Sequence, residues 1–111
     1  MRFGMGVPKI PVAPRRETRI PMEVAVHISG HHAQPGIETT FTKNVSSCGA
    51  RVLSTRRWKA GDRMTIATLT GSFRAMARVA YCELVPKAGF AVGLEFLEPS
   101  GQWVVARGVA S

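Results

Sequence analysis

Aspartate is almost missing from this chain: Asp62 is the only one in 111 residues, and it stands beside Gly61 in what reads as a turn. No His and carboxylate combine with Ser or Cys at a spacing that would prepare a nucleophile or an acid–base pair, so the expectation is that the protein is not an enzyme. Cysteine is scarce as well. Cys48 and Cys82 are too few for a disulfide framework and form no C-x-x-C pair, and they read as small hydrophobes. His31 and His32 are adjacent in a turn, where extended backbone points them apart, and neither has a Cys or His at a zinc spacing. No metal and no cofactor is expected. No apolar run approaches the roughly 20 residues that span a bilayer, and Pro8, Pro11 and Pro14 make the first fourteen residues a poor signal peptide. The reading is a cytoplasmic protein without membrane insertion.

What the chain does have is arginine. Fifteen basic residues face seven acidic ones, a formal net charge of +8, and eleven of the fifteen are Arg. Lysine would serve solubility as well, whereas the planar guanidinium fork suits bidentate contacts with phosphates and purine edges. The bias points to phosphate or nucleotide ligands, although a GC-rich coding sequence would produce it too.

The length fits one domain. Residues 1–14 read as a flexible N-terminal tail, because repeated proline removes donors and favours extended geometry. From Met22 the pattern turns to period two. Met22, Val24, Val26 and Ile28 alternate with Glu23, Ala25, His27 and Ser29, which predicts a half-buried strand. A turn at SGHHAQPG leads to IETTFTK, a second strand with Ile37, Thr39 and Phe41 on one face. Ala50 to Ser54 reads as a third, RMTIATL as a fourth, FRAMARVAYCEL as a fifth and FAVGLEFL as a sixth. In the fifth, Phe73, Ala75, Ala77, Val79 and Tyr81 share one face. Phe41, Phe73, Tyr81, Phe90 and Phe96 are all wanted for the core. A short helical turn is expected from Pro99, limited by Gly101 and Gly108. Six short strands with regular turn signals predict an all-β fold, and bulky inward residues favour a closed antiparallel barrel over a sandwich.

Two stretches carry the functional signal. Arg15-Arg16-Glu17-Thr18-Arg19 places two arginines four apart ahead of the first strand. Asn44-Val45-Ser46-Ser47-Cys48-Gly49 lies between the second and third strands. Each alone is weak: arginine runs are commonly solvated, and Asn, Ser and Gly are ordinary turn residues. Together, R-x-x-x-R followed about 25 residues later by N-x-S-x-x-G resembles the PilZ domain, the bacterial receptor module for cyclic di-GMP. The likeness covers residues 15 to about 98. It includes the strand count, the GARV stretch after the motif, the GD turn at Gly61-Asp62 and the VGLEF strand.

That resemblance implies a six-stranded antiparallel barrel over residues 15–111, with the second motif on its surface. It also implies a cyclic di-GMP site in which Arg15 and Arg19 fill the two arginine places, Arg16 doubles the first, and Asn44, Ser46 and Gly49 fill the rest. The chemistry suits the ligand. A guanidinium fork meets guanine O6 and N7, or two phosphate oxygens. Asn44 offers both donor and acceptor to a guanine edge, Ser46 a hydroxyl, and Gly49 either a positive φ or close approach of a planar base. The expected mechanism has the arginine arm closing over ligand on the barrel surface. A downstream effector protein would read the result.

Other readings remain at this stage. Asn44 and Ser46 could simply close a turn through their side chains. Arg19 could form a surface ion pair with Glu17 or Glu23. Arg56 and Arg57, near Trp58, could add phosphate contacts or form a solvated loop. At the level of function, the alternatives are a PilZ-like interaction adaptor that binds no nucleotide, and a small basic barrel that binds single-stranded nucleic acid. The segment after Glu98 is short for the family, which leaves open how the barrel end is covered and whether Trp103 and Val104 face a partner.

Overall fold

The computed structural model describes residues 18–30 and 34–105. The tail at 1–14, Arg15, Arg16, His31 and His32 lie outside the described residues. Seven strands follow in chain order: β1 (Ile20–Pro21), β2 (Ala25–Gly30), β3 (Gln34–Ser46), β4 (Gly49–Ser54), β5 (Arg63–Thr68), β6 (Phe73–Val85) and β7 (Gly89–Gly101). Six of them close a barrel in the order β3, β2, β5, β6, β7, β4 and back to β3, with every pair antiparallel. The seventh, β1, lies outside it on β3, with Ile20 opposite Val45 and Pro21 opposite Asn44. The expected barrel is therefore present.

The alternation that marked the strands also fills the interior. Val26 and Ile28 from β2, Met64 and Ile66 from β5, and Phe73, Ala75, Ala77 and Val79 from β6 all point inward and are buried, with Val52, Val92 and Leu94 closing the layer. Burying a side chain the size of valine or larger stabilises by roughly 1.5–3 kcal/mol relative to leaving it in water.

Strand β3 departs from the hydrophobic reading. Between Ile37 and the strand's buried end at Val45 the fully buried residue is Thr42, while Ile37 and Phe41 lie on the outer face at 69% and 53% exposed. A polar residue wins the inner position because backbone groups there need partners. Strand structure is interrupted between β1 and β2 at residues 22–24. Thr42 spans that break: its Oγ1 accepts from the Val24 N–H at 2.8 Å and donates to the Met22 carbonyl at 2.8 Å. An unpaired backbone group in that position would cost about 1–3 kcal/mol.

Three irregularities shift the face of later residues. Lys43 is extra opposite β4, Ala80 opposite β7, and Leu97 opposite β6. Past the bulge at Ala80, Tyr81 turns outward instead of continuing the Phe73–Val79 face. One extra residue is enough, because the strand side-chain period is two.

The helical turn expected from Pro99 does not form among the described residues. Pro99 lies within β7, opposite Ala75. The pairing of β7 with β4 ends at Glu95, so Pro99 sits on a stretch with β6 on one side only, where a missing N–H is tolerated. Beyond it, Gly101 takes φ +92° and Gln102 N–H bonds the Ser72 carbonyl at 2.8 Å. Trp103 then folds over the barrel end, with ring centroids 4.7 Å from Phe73 and 5.1 Å from Phe96. Its Nε1–H donates to the Ser46 carbonyl at 2.8 Å, which ties the barrel's end to the motif turn. Trp103 is core, and Val104 is exposed.

Candidate functional site

The stretch TKNVSSCGARV forms the end of β3, a two-residue turn at Ser47 and Cys48, and the start of β4, with Ser46 paired to Gly49. Ser46 is fully buried. Its Oγ accepts from the Cys48 N–H at 3.4 Å and donates to the Gly49 carbonyl at 3.4 Å, so its hydroxyl serves the turn. Gly49 has a packing reason as well. A Cβ there would stand 2.2 Å from the Leu94 carbonyl oxygen of β7, and the residue is not among those with positive φ. Of the three motif positions, Asn44 is the one that presents its side chain outward.

Asn44 is also where the two sequence motifs meet. The pairing of Pro21 with Asn44 lays Arg19, just before β1, alongside the end of β3. Arg19 Nη1 donates to Asn44 Oδ1 at 3.0 Å across 25 residues of chain. A guanidinium can only donate, so the contact commits the amide oxygen to Arg19 and leaves the amide N–H donors for another partner. The alternative ion pair of Arg19 with Glu23 is not formed. Glu17, like Arg15 and Arg16, lies outside the described residues.

Beside this contact is a surface depression of about 350 Å³ lined by Lys43, Asn44, Arg51, Leu53, Val85, Ala88 and Ala91. Leu53, Ala91, Val85 and Ala88 form an apolar wall, and Lys43, Asn44 and Arg51 a polar and basic rim. Such a site can take a flat apolar ring face against the wall while an anionic group meets the rim. Its size lies at the lower end of the roughly 300–1,000 Å³ common for ligand pockets.

Arg51 was not singled out by the sequence, although a signal for it exists. With Ser47 and Cys48 as the turn, pairing counts outward from Ser46–Gly49 through Val45–Ala50 to Asn44–Arg51. Directly opposed residues share a face, with Cβ atoms about 4.5–5.5 Å apart. Arg56 and Arg57 belong elsewhere. Arg56 Nη1 donates to the Pro35 carbonyl at 2.9 Å, and the Arg57 guanidinium sits 5.2 Å from the Phe90 ring centroid. Trp58 is a core residue whose Nε1–H bonds Ser54 Oγ at 3.1 Å, so it offers no stacking surface.

No helix among the described residues is long and apolar enough to cross a membrane, and no group of three or more metal-ligating side chains occurs among them. No protein-family model matches the chain, and no curated protein matches it in sequence.

Proposed function

We propose that the protein is a cyclic di-GMP receptor of PilZ type, acting in bacterial second-messenger signalling by presenting a changed surface to a partner protein. One observation carries the reading: the Arg19–Asn44 hydrogen bond joins the arginine motif to the N-x-S-x-x-G motif on the outer face of the barrel, beside a basic-rimmed depression. Two motifs 25 residues apart have no turn-closing reason to meet there. Cyclic di-GMP supplies what such a site would take, two phosphates for guanidinium groups and two planar guanines for an apolar wall and an amide edge. Arg15 lies four residues before Arg19, within a reach of roughly 14 Å, so it can contribute to the same face. In this reading Arg19 grips phosphate or the O6/N7 edge of guanine. The Asn44 amide N–H groups donate to the ligand, and the residues before Arg19 close over it.

Calorimetric titration of cyclic di-GMP tests the proposal. Wild-type protein is expected to give saturable heat. Arg19→Ala and Asn44→Ala should each weaken binding by about tenfold or more, as truncation of central anchors does, with unchanged unfolding midpoints. No heat with wild-type protein, or unaltered affinity in both variants, overturns it.

Single-stranded nucleic acid is the second reading. It gains from Phe41, which lies outside the core on the same face of β3 as Asn44. A salt-sensitive electrophoretic shift with single-stranded RNA or DNA that survives Asn44→Ala would favour it over the nucleotide receptor.

A further inference from the structure

Arg51 faces the depression from the strand opposite Asn44, and its guanidinium already has an anionic partner: Nη2 lies 3.1 Å from Glu83 Oε1. We propose that Arg51 is an additional phosphate contact of the site and that Glu83 is a built-in competitor for it, a carboxylate that the ligand's phosphate must displace. The proposal rests on the cyclic di-GMP reading and adds to it a residue and a means of setting affinity and selectivity.

Three features of the structure support this pairing. The first is position. Asn44 and Arg51 are directly opposed in the β3–β4 ladder, so a ligand held by Asn44 comes within a side chain's length of Arg51. The second is orientation. The Arg51 guanidinium carbon lies 5.9 Å from the Tyr81 ring centroid, and that ring rests on Gly93, where a Cβ would come within 2.1 Å of it. Gly93 is in turn opposite Arg51. The bulge at Ala80 and the bare backbone at Gly93 thus let Tyr81 flank the guanidinium, and Glu83 lies two residues further along β6 on the same outer face.

The third is chemistry. Carboxylate and phosphate both offer two oxygens to the guanidinium fork, so one substitutes for the other without moving Arg51. Side-chain exposures of 33% and 59% leave the Arg51–Glu83 pair largely in water, where such pairs hold their partners weakly. A phosphate delivered by a ligand anchored at Asn44 and Arg19 can displace Glu83. A free anion without that anchor must compete with a carboxylate tethered in place, so the pair favours the larger nucleotide over simple phosphate.

A double-mutant cycle with cyclic di-GMP in the calorimeter tests this. Arg51→Ala is expected to weaken binding about tenfold, as loss of one charge-assisted contact does. Glu83→Gln should tighten it by roughly threefold, the scale of an exposed ion pair. In the Arg51→Ala background, Glu83→Gln should change nothing, because the competitor has lost what it competes for. Unfolding midpoints of all variants verify that the barrel is intact. If Glu83→Gln tightens binding equally in both backgrounds, it acts through the general field of the protein and the proposal is wrong. It is equally wrong if Arg51→Ala binds like wild type. Absence of binding by the wild-type protein would instead remove the receptor reading, and this inference with it.

Discussion

Arg19 and Arg78 both lie on the outside of the barrel and are each held by a residue of a neighbouring strand, but the partners differ in charge. Arg78 on β6 is opposite Glu95 on β7, and its Nη2 is 2.5 Å from the carboxylate. Arg19, beside β1, is held by the neutral amide of Asn44. Arg78 lies three strands from β3 in the barrel order, whereas its partner Glu95 stands opposite Gly49 of β4, so the pair borders the β4 side of the motif turn. On the β6 face the positive charge is largely cancelled where it stands, and the pair links two strands. On the β3 face the Arg19 guanidinium is positioned without being neutralised, and Lys43 lines the same depression as its partner Asn44. A cation fixed in place but not cancelled is what an anionic ligand can use, and in this the two arginines differ.

Three substitutions would break or sharpen that contrast. The largest effect is expected from Trp103→Ala, since the indole packs on Phe73 of β6 and Phe96 of β7 and bonds the Ser46 carbonyl of β3. It holds the frame beneath both faces, and its loss should lower stability by about 3–5 kcal/mol in chemical denaturation, with any ligand affinity falling alongside. Gly49→Ala comes next and acts on one side. The new methyl would collide with the Leu94 carbonyl, a backbone atom that cannot rotate away, so the β4–β7 pairing must shift. A stability loss of roughly 1–3 kcal/mol is expected by the same measurement, together with a change in the amide chemical shifts of residues 44–51 greater than at Arg63 and Arg74.

The smallest effect belongs to the neutralised face. Glu95→Gln should change stability by less than about 1 kcal/mol and leave cyclic di-GMP affinity within error, because an exposed ion pair contributes little and Glu95 does not line the depression. A large loss of affinity in Glu95→Gln would mean that ligand binds on the Arg78 face instead.

The residues themselves show which parts of this were readable beforehand. Met64, Ile66 and the Phe73 to Val79 series alternate without interruption, and all of them are inside. Tyr81 continues the same alternation in sequence and is outside, because the register of β6 against β7 slips at Ala80. Phe41 was wanted for the core by its hydrophobicity and lost the inner position to Thr42, whose hydroxyl satisfies backbone groups from a segment about twenty residues away. Pro99 looked like the start of a helix, and an open strand edge accommodates it. In each case the deciding factor was how backbone groups are paired, or left unpaired, with distant chain, which local pattern does not register.

The candidate site divides in the same way. Arg19, Asn44, Ser46 and Gly49 were found by spacing, yet the structure separates them into two groups, Arg19 and Asn44 in contact on the surface, Ser46 and Gly49 committed to the turn and to the close approach of β7. Arg51 and Glu83 carry no motif and stand 32 residues apart, joined only because β4 and β6 flank β7.

By itself, the sequence determined the number of barrel strands, the inward set of the regular ones, the arginine-rich charge and the place of the turn. These follow from local periodicity and composition, which act through neighbouring residues. Only the tertiary structure decided which residues of β3 face out, what covers the barrel end, and which side chains meet around Asn44. Those outcomes depend on strand register and bulges, where one residue more or less turns a side chain from the core to the solvent.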